Sequence, residues 1–128
     1  MIDHIGLTVT KPEDSRRFYE AALAPIGYVL LREIPKEYTG GVVVLGYGVA
    51  PKADFWINEG VKTTTPNHVA FVAESRAQVD AFYEAAMAAG GTDNGPPGLR
   101  AHYHPTYYGA FVRDPDGHNI EVVCHAAE

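Results

Sequence analysis

Apolar and polar residues alternate from Ile2 to Val9 and again from His68 to Ala73, the period-two pattern of a strand with one buried face. The period then lengthens. Val79, Phe82, Tyr83, Ala86 and Met87 fall on one stripe of a helix. Ser75-Arg76-Ala77-Gln78 has the form of a capping box, Thr10-Lys11-Pro12-Glu13 offers the same before an earlier helix, and Gly27 and Gly90-Gly91 supply stops. Three strands are predicted after the first helix, at Tyr28–Ile34, Val42–Tyr47 and Asp54–Asn58. After the second, two are clear, Gly109–Arg113 and Asn119–Cys124. Between them, Thr92–Tyr108 is rich in Gly and Pro and reads as a long loop holding one short strand near Arg100–His104. Asp114-Pro115-Asp116-Gly117 is a hairpin turn: Pro presets one torsion and Gly permits positive φ.

The order β-α-β-β-β thus occurs twice, and the sequence repeats with it. Asp3-His4-Ile5-Gly6-Leu7 falls on Asn67-His68-Val69-Ala70-Phe71 at a shift of 64, and Phe18-Tyr19-Glu20-Ala21-Ala22-Leu23-Ala24 falls on Phe82-Tyr83-Glu84-Ala85-Ala86-Met87-Ala88 at the same shift. A period this long fits a duplicated half-domain rather than a solenoid. The expectation is an α+β fold in one domain, with module one over about 1–62 and module two over about 63–128.

Composition changes this picture little. The 128 residues suit one domain with a real core. A net charge of −6 with scattered Lys and Arg argues against a nucleic-acid partner, which needs clustered cations. No apolar stretch suits a membrane span and no leader is visible. The one cysteine, Cys124, leaves no internal disulfide, so a cytoplasmic location is the default. Nothing around Cys124 argues for a nucleophile.

The duplication places His4 and His68 at matching positions, where two imidazoles related by a pseudo-two-fold axis can share one metal ion. Glu121, of opposite strand parity to Ile120 and Val122, is the candidate third ligand. Two histidines and one carboxylate with open positions suit a divalent ion such as Fe, Mn, Ni, Co or Zn, which would act as a Lewis acid on substrate oxygens. Leu99-Arg100-Ala101-His102-Tyr103-His104-Pro105-Thr106-Tyr107-Tyr108 is a candidate pocket wall, with His102, His104 or Tyr108 as acid or base and Arg100, Tyr103 and Tyr107 as substrate contacts. Trp56 reads as core or cleft lining and is counted with the candidate substrate contacts. Arg32 and Arg100 are candidates to hold an anionic substrate, with surface placement the better reading for Arg32; His118 and His125 read as surface residues, and Phe18-Tyr19 and Phe82-Tyr83 as helix-face packing.

Asp3-His4-Ile5-Gly6-Leu7-Thr8-Val9, His68-Val69-Ala70-Phe71 and Phe111-Val112-Arg113-Asp114-Pro115-Asp116-Gly117-His118-Asn119-Ile120-Glu121 together resemble the vicinal oxygen chelate superfamily, which includes glyoxalases, bleomycin-resistance proteins and extradiol dioxygenases. The resemblance covers essentially the whole chain, and the closing Asp-Pro-Asp-Gly-x-x-x-Glu is its most specific part. It implies two tandem βαβββ modules in a curved mixed sheet around a cleft, metal ligands at His4, His68 and Glu121, and a homodimer. It departs from the lactoylglutathione lyases, which take a fourth ligand from the last strand of the first module. The shift of 64 puts Ile57 there, and Glu59 is the nearest carboxylate of the same parity.

The leading expectation is therefore a metal-dependent enzyme with lyase or isomerase chemistry on a small molecule bearing vicinal oxygens. Extradiol-type ring cleavage is the alternative within that class. A protein that sequesters a drug or toxin without metal is the alternative outside it, followed by a degenerate paralogue kept as an interaction module.

Overall fold

The computed structural model describes residues 1–128. Module one consists of β1 (Ile5–Val9), α1 (Pro12–Leu23), β2 (Val29–Glu33), β3 (Val44–Val49) and β4 (Lys52–Glu59). Module two consists of β5 (His68–Val72), α2 (Arg76–Ala88), the two-residue strands β6 (Thr92–Asp93) and β7 (Gly98–Leu99), then β8 (Tyr108–Arg113) and β9 (Asn119–Cys124). Each module makes one mixed sheet in which the first strand runs parallel to the last: β1-β4-β3-β2, and β5-β9-β8-β6 with β7 also on β8. No helix is long and apolar enough to cross a membrane.

The expected strand near Arg100–His104 does not form. Tyr103 and His104 both donate backbone N–H to the Arg100 carbonyl, and Tyr107 donates to that of His104, so the chain coils through turns there. The strand pairing falls earlier, at β6 and β7. The Ser75 cap of the expected box is present, its hydroxyl accepting the Gln78 N–H at 3.3 Å, while the Gln78 side chain accepts the N–H of Glu74 at 2.7 Å rather than that of Ser75. The cap at Thr10 is not: Lys11 takes the N-cap position without a side-chain bond, and the Thr10 N–H and hydroxyl both donate to the Asp116 carboxylate, at 3.0 and 2.6 Å.

Those bonds belong to a knot between the modules. The Asp114 carboxylate in the β8–β9 turn accepts the N–H groups of Asp116 and His118 on one oxygen, at 2.9 Å each, and the Tyr19 hydroxyl on the other, at 2.5 Å. Gly117 closes the turn with φ +88°, as a hairpin of this type requires. His118 is not on the surface; it is 1% exposed. Its Nδ1 accepts the Asn67 N–H at 2.9 Å, which leaves the proton on Nε2 to donate to the Thr8 carbonyl at 2.8 Å. The ring thus joins β1 to the start of β5. A histidine after a polar turn looks exposed, but here the turn itself is folded under the other module.

Around this knot lies one apolar cluster fed by both modules, including Leu7, Phe18, Tyr19 and Phe55 from the first and Phe71, Phe82, Val112 and Ile120 from the second. The Phe55 and Phe71 rings meet edge to face at 5.1 Å across the seam between β1 and β5. The burial rhythm repeats: Leu7 and Val9 are buried as are Phe71 and Ala73, while Gly6 and Ala70 face outward. The outward faces carry the candidate chemistry.

Replacing Tyr19 with Phe keeps the ring and strands one Asp114 oxygen in the core, which is expected to lower unfolding free energy by about 1–3 kcal/mol in urea titration. The buried Tyr19 and Tyr47 phenols are pushed above their usual range, Tyr19 by burial and then by Asp114, Tyr47 by burial and then by Glu20. Their folded pKa lies above the unfolded value, so the stability they hold is complete below pH about 10 and falls as pH rises toward the folded value. Absorbance at 295 nm is expected to show these two ionising only as the protein unfolds in alkali.

Candidate functional site

The parallel pairing of β5 with β9 sets His68 opposite Asn119 and Ala70 opposite Glu121, so the His68 and Glu121 side chains share the outward face one pleat apart. His68 Nε2 lies 2.9 Å from Glu121 Oε1. Tyr107 donates its hydroxyl to Oε2. The imidazole side chain is 53% exposed, whereas Glu121 is only 2% exposed. Gly109 leaves the room for this: a Cβ there would stand 3.2 Å from the Tyr107 ring and 3.5 Å from Glu121 Oε2.

The phenol of Tyr107 is pushed up to about 12, first by burial and then by the Glu121 carboxylate, so it holds its proton at neutral pH. Edge-on rings fix it, Tyr103 at 5.1 Å and His125 at 5.3 Å. His102 rests on Tyr103 at 4.2 Å, and His104 Nδ1 accepts the Thr106 N–H at 3.2 Å beside His125. The Arg100 guanidinium lies 5.4 Å over Phe111, tethered to the Gly98 and Pro96 carbonyls. Tyr108, adjacent in sequence to Tyr107, points the other way. Its hydroxyl donates to Asp80 of α2 at 2.7 Å, and Arg76 covers its ring.

His4 stands apart from this group. It precedes β1, its side chain is 60% exposed, and its Nδ1 meets Asp3 at 2.6 Å. Asp3 also pairs with Lys52, and these two neighbours hold its carboxyl below the usual range, with Lys52 the larger cause. His4 lines a cavity of about 640 Å³ on the outward face of module one, with Trp56 on its floor. No three His, Cys, Asp or Glu side chains of the chain converge as a metal set.

Register also settles which residue of module one matches Glu121. Ile5 pairs with Phe55 where Val69 pairs with Ile120, so the repeat has slipped by one residue by the time it reaches the last strands. The counterpart of Glu121 is Trp56, not Ile57. Glu59 is not there either; it sits opposite Val9, and its carboxylate accepts the Val43 N–H at 2.9 Å. Sequence reading grouped Tyr107 with substrate contacts and missed its bond to Glu121. The alternation of Tyr107 and Tyr108 into β8 was the available signal.

The sequence matches the family model described as Glyoxalase/Bleomycin resistance protein/Dioxygenase superfamily over residues 1–122. No curated protein matches it significantly. Among solved structures, a glyoxalase/bleomycin resistance protein from Albidiferax ferrireducens T118 is 28% identical, with TM-score 0.74 over 97% of this chain and 98% of that one. The fold is also that of a mutant glyoxalase I from Zea mays, 19% identical with TM-score 0.74, where 99% of this chain covers 45% of that one. A mutant fosfomycin resistance protein, FosX, from Listeria monocytogenes is 19% identical, with TM-score 0.69 over 99% and 90% of the two chains. It was solved with Mn(II) and 1S,2S-dihydroxypropylphosphonic acid. Coverage from the first strand almost to the last, with the tandem βαβββ architecture behind it, makes the conclusion plain: the chain belongs to the glyoxalase/bleomycin-resistance/dioxygenase superfamily.

Proposed function

We propose that this protein is a cytoplasmic, homodimeric, metal-dependent enzyme of that superfamily, with lyase or isomerase chemistry on a small molecule bearing vicinal oxygens. The observation that carries this reading is the His68–Glu121 pair. Glu121 is a buried carboxylate whose polar neighbours are an imidazole and a phenol, with no Lys or Arg against it. A buried anion met only by hydrogen bonds is costly, and a cation beside it offsets that cost. An imidazole nitrogen and a carboxylate oxygen are also the donors that a borderline divalent ion prefers. His68 and Glu121 therefore fit a metal as two of its ligands.

One chain does not complete the set, because His4 stands in the other module's cavity. A second copy bringing its own His4 to the His68–Glu121 face would supply the third donor, the isologous arrangement that a two-fold dimer gives for each of its two sites. When bound, the ion would supply Lewis-acid polarisation of the substrate's adjacent oxygens.

The chain's own groups do the rest. Tyr107 keeps a proton at its hydroxyl beside Glu121 and can donate a hydrogen bond to an oxygen that gains charge. Tyr103 and His125 hold that phenol in place, and Arg100 and Phe111 wall the face. Of the histidines on the loop, His102 and His104 are exposed, so they would exchange protons with solvent rather than within a closed site. Tyr108, turned to α2, takes no part. FosX with its Mn(II) is a relative in fold that supports a metal here. The separation of His4 from the pair favours a second reading, a metal-free sequestering protein, and metal analysis decides between them.

Elemental analysis is expected to find a divalent metal in the purified protein, lost in His4→Ala and in His68→Ala. Mixing the two variants under subunit exchange then restores metal to about one quarter of the wild-type sites, because half of the dimers are mixed and each rebuilds one site of two. A metal-free wild type that takes up no Mn, Fe, Co, Ni or Zn would sink the metal reading, and failure to complement would place the site within one chain. Glu121→Gln is expected to abolish loading. In chelator the same variant is expected to be as stable as wild type, or more stable by up to about 2 kcal/mol, since a neutral amide is less costly to bury than a carboxylate.

A further inference from the structure

One cross-strand row of module one differs from its counterpart in module two in a coordinated way. The row runs Gly6, Trp56, Gly46, Arg32 across β1, β4, β3 and β2. In module two, register puts Ala70, Glu121 and Phe111 at the first three places. Where module two has a carboxylate beside a large ring, module one has a large ring beside a glycine. The exchange is steric as well as chemical: a Cβ on Gly46 would fall 2.7 Å from two atoms of the Trp56 indole, so the indole lies over that bare backbone. Trp56 remains half-buried, and the cavity of about 640 Å³ opens over it.

Arg32 reaches the same row by a β-bulge. Leu30 pairs with Tyr47, and the next paired residue, opposite Gly46, is Arg32, so one extra residue is inserted between them. Without the bulge, Arg32 would stand opposite the buried Leu45, on the core side; with it, the side chain lines the cavity. Adjacent strands are about 4.8 Å apart, so the Arg32 Cα stands about 10 Å from that of Trp56, with only Gly46 between. Arg32 forms no ion pair, and its guanidinium is not stacked on the indole. The other cation of the cavity, Lys52, is already paired with Asp3.

We propose that this face is a subsite for a small planar carboxylate, whose ring lies flat on Trp56 and whose anion is taken by Arg32. An exposed indole face stacks a flat ring, and an unpaired guanidinium accepts a carboxylate as a two-pronged hydrogen-bond acceptor. The proposal rests on the reading of these outward faces as small-molecule surfaces and adds the substrate class: an aromatic or similarly flat, conjugated carboxylic acid. Module two would carry the chemistry and module one the recognition.

Trp56 is the one tryptophan of the chain, so its fluorescence reports on this site alone. The test is a titration of the full-length protein in excess chelator with benzoate, benzamide and acetate, excited at 295 nm. Benzoate is expected to give a saturable change, benzamide to bind at least tenfold more weakly, and acetate to give none. Arg32→Gln is expected to weaken benzoate about tenfold and leave benzamide as it was. A flat response to benzoate, or a variant that binds benzoate as well as wild type, would overturn the proposal. Because metal is absent throughout, benzoate binding by a protein that never takes up metal would leave this subsite standing while the metal reading fell.

Discussion

The polar contact between the two modules is centred on one carboxylate, that of Asp114. Asp114 shapes its own turn through the N–H groups of Asp116 and His118, and with its second oxygen it grips Tyr19 in the other module. Everything nearby follows from that geometry. With the turn fixed, Asp116 is placed to take Thr10, and His118 to bridge Thr8 and Asn67. These contacts fix the end of β1 against the start of β5, and they set the direction in which β9 leaves the turn toward Glu121. A turn that sequence reading assigns only to a hairpin is thus also the clasp of the domain.

Much of the fold was legible because duplication writes it twice. The matched His4 and His68 strands and the two Phe-Tyr-Glu-Ala-Ala helices needed no structure to be seen. What failed to show did so for physical reasons. A polar turn carries no mark saying which side of it is buried, so His118 read as exposed. Thr10 has the chemistry of a helix cap, but the N-cap falls one residue later and Thr10 bonds a partner 106 residues away. The slip of one residue between the halves lies in irregular connections, where self-comparison has little to align, and it moved the position of interest from Trp56 to Ile57.

The site was legible in part. Burial of Glu121 against His68 agrees with the parity argument made from the β9 sequence, since Glu121 does lie on the face opposite Ile120 and Val122. His4 could not be placed from sequence, because equivalence under a repeat does not tell whether two positions face each other within one chain. The Tyr and His loop was seen as a wall, but which ring touches the carboxylate depends on where β8 begins. That boundary decides between Tyr107 and Tyr108, and boundaries are where residue patterns carry least information.

The parallel pairing of first strand with last has a consequence for how the chain comes together during synthesis. β5 finds its only sheet partner in β9, and the clasp on Thr8, Thr10 and Tyr19 lies between β8 and β9. Tyr19 and Asp114 are 95 residues apart. Module one can close its own sheet early, but its Tyr19 hydroxyl and Thr8 carbonyl must stay on water until Asp114 and His118 have left the ribosome. A nascent chain stopped before β9 would expose half of a shared core, which makes the last strand the one whose arrival decides between folding and association with other chains.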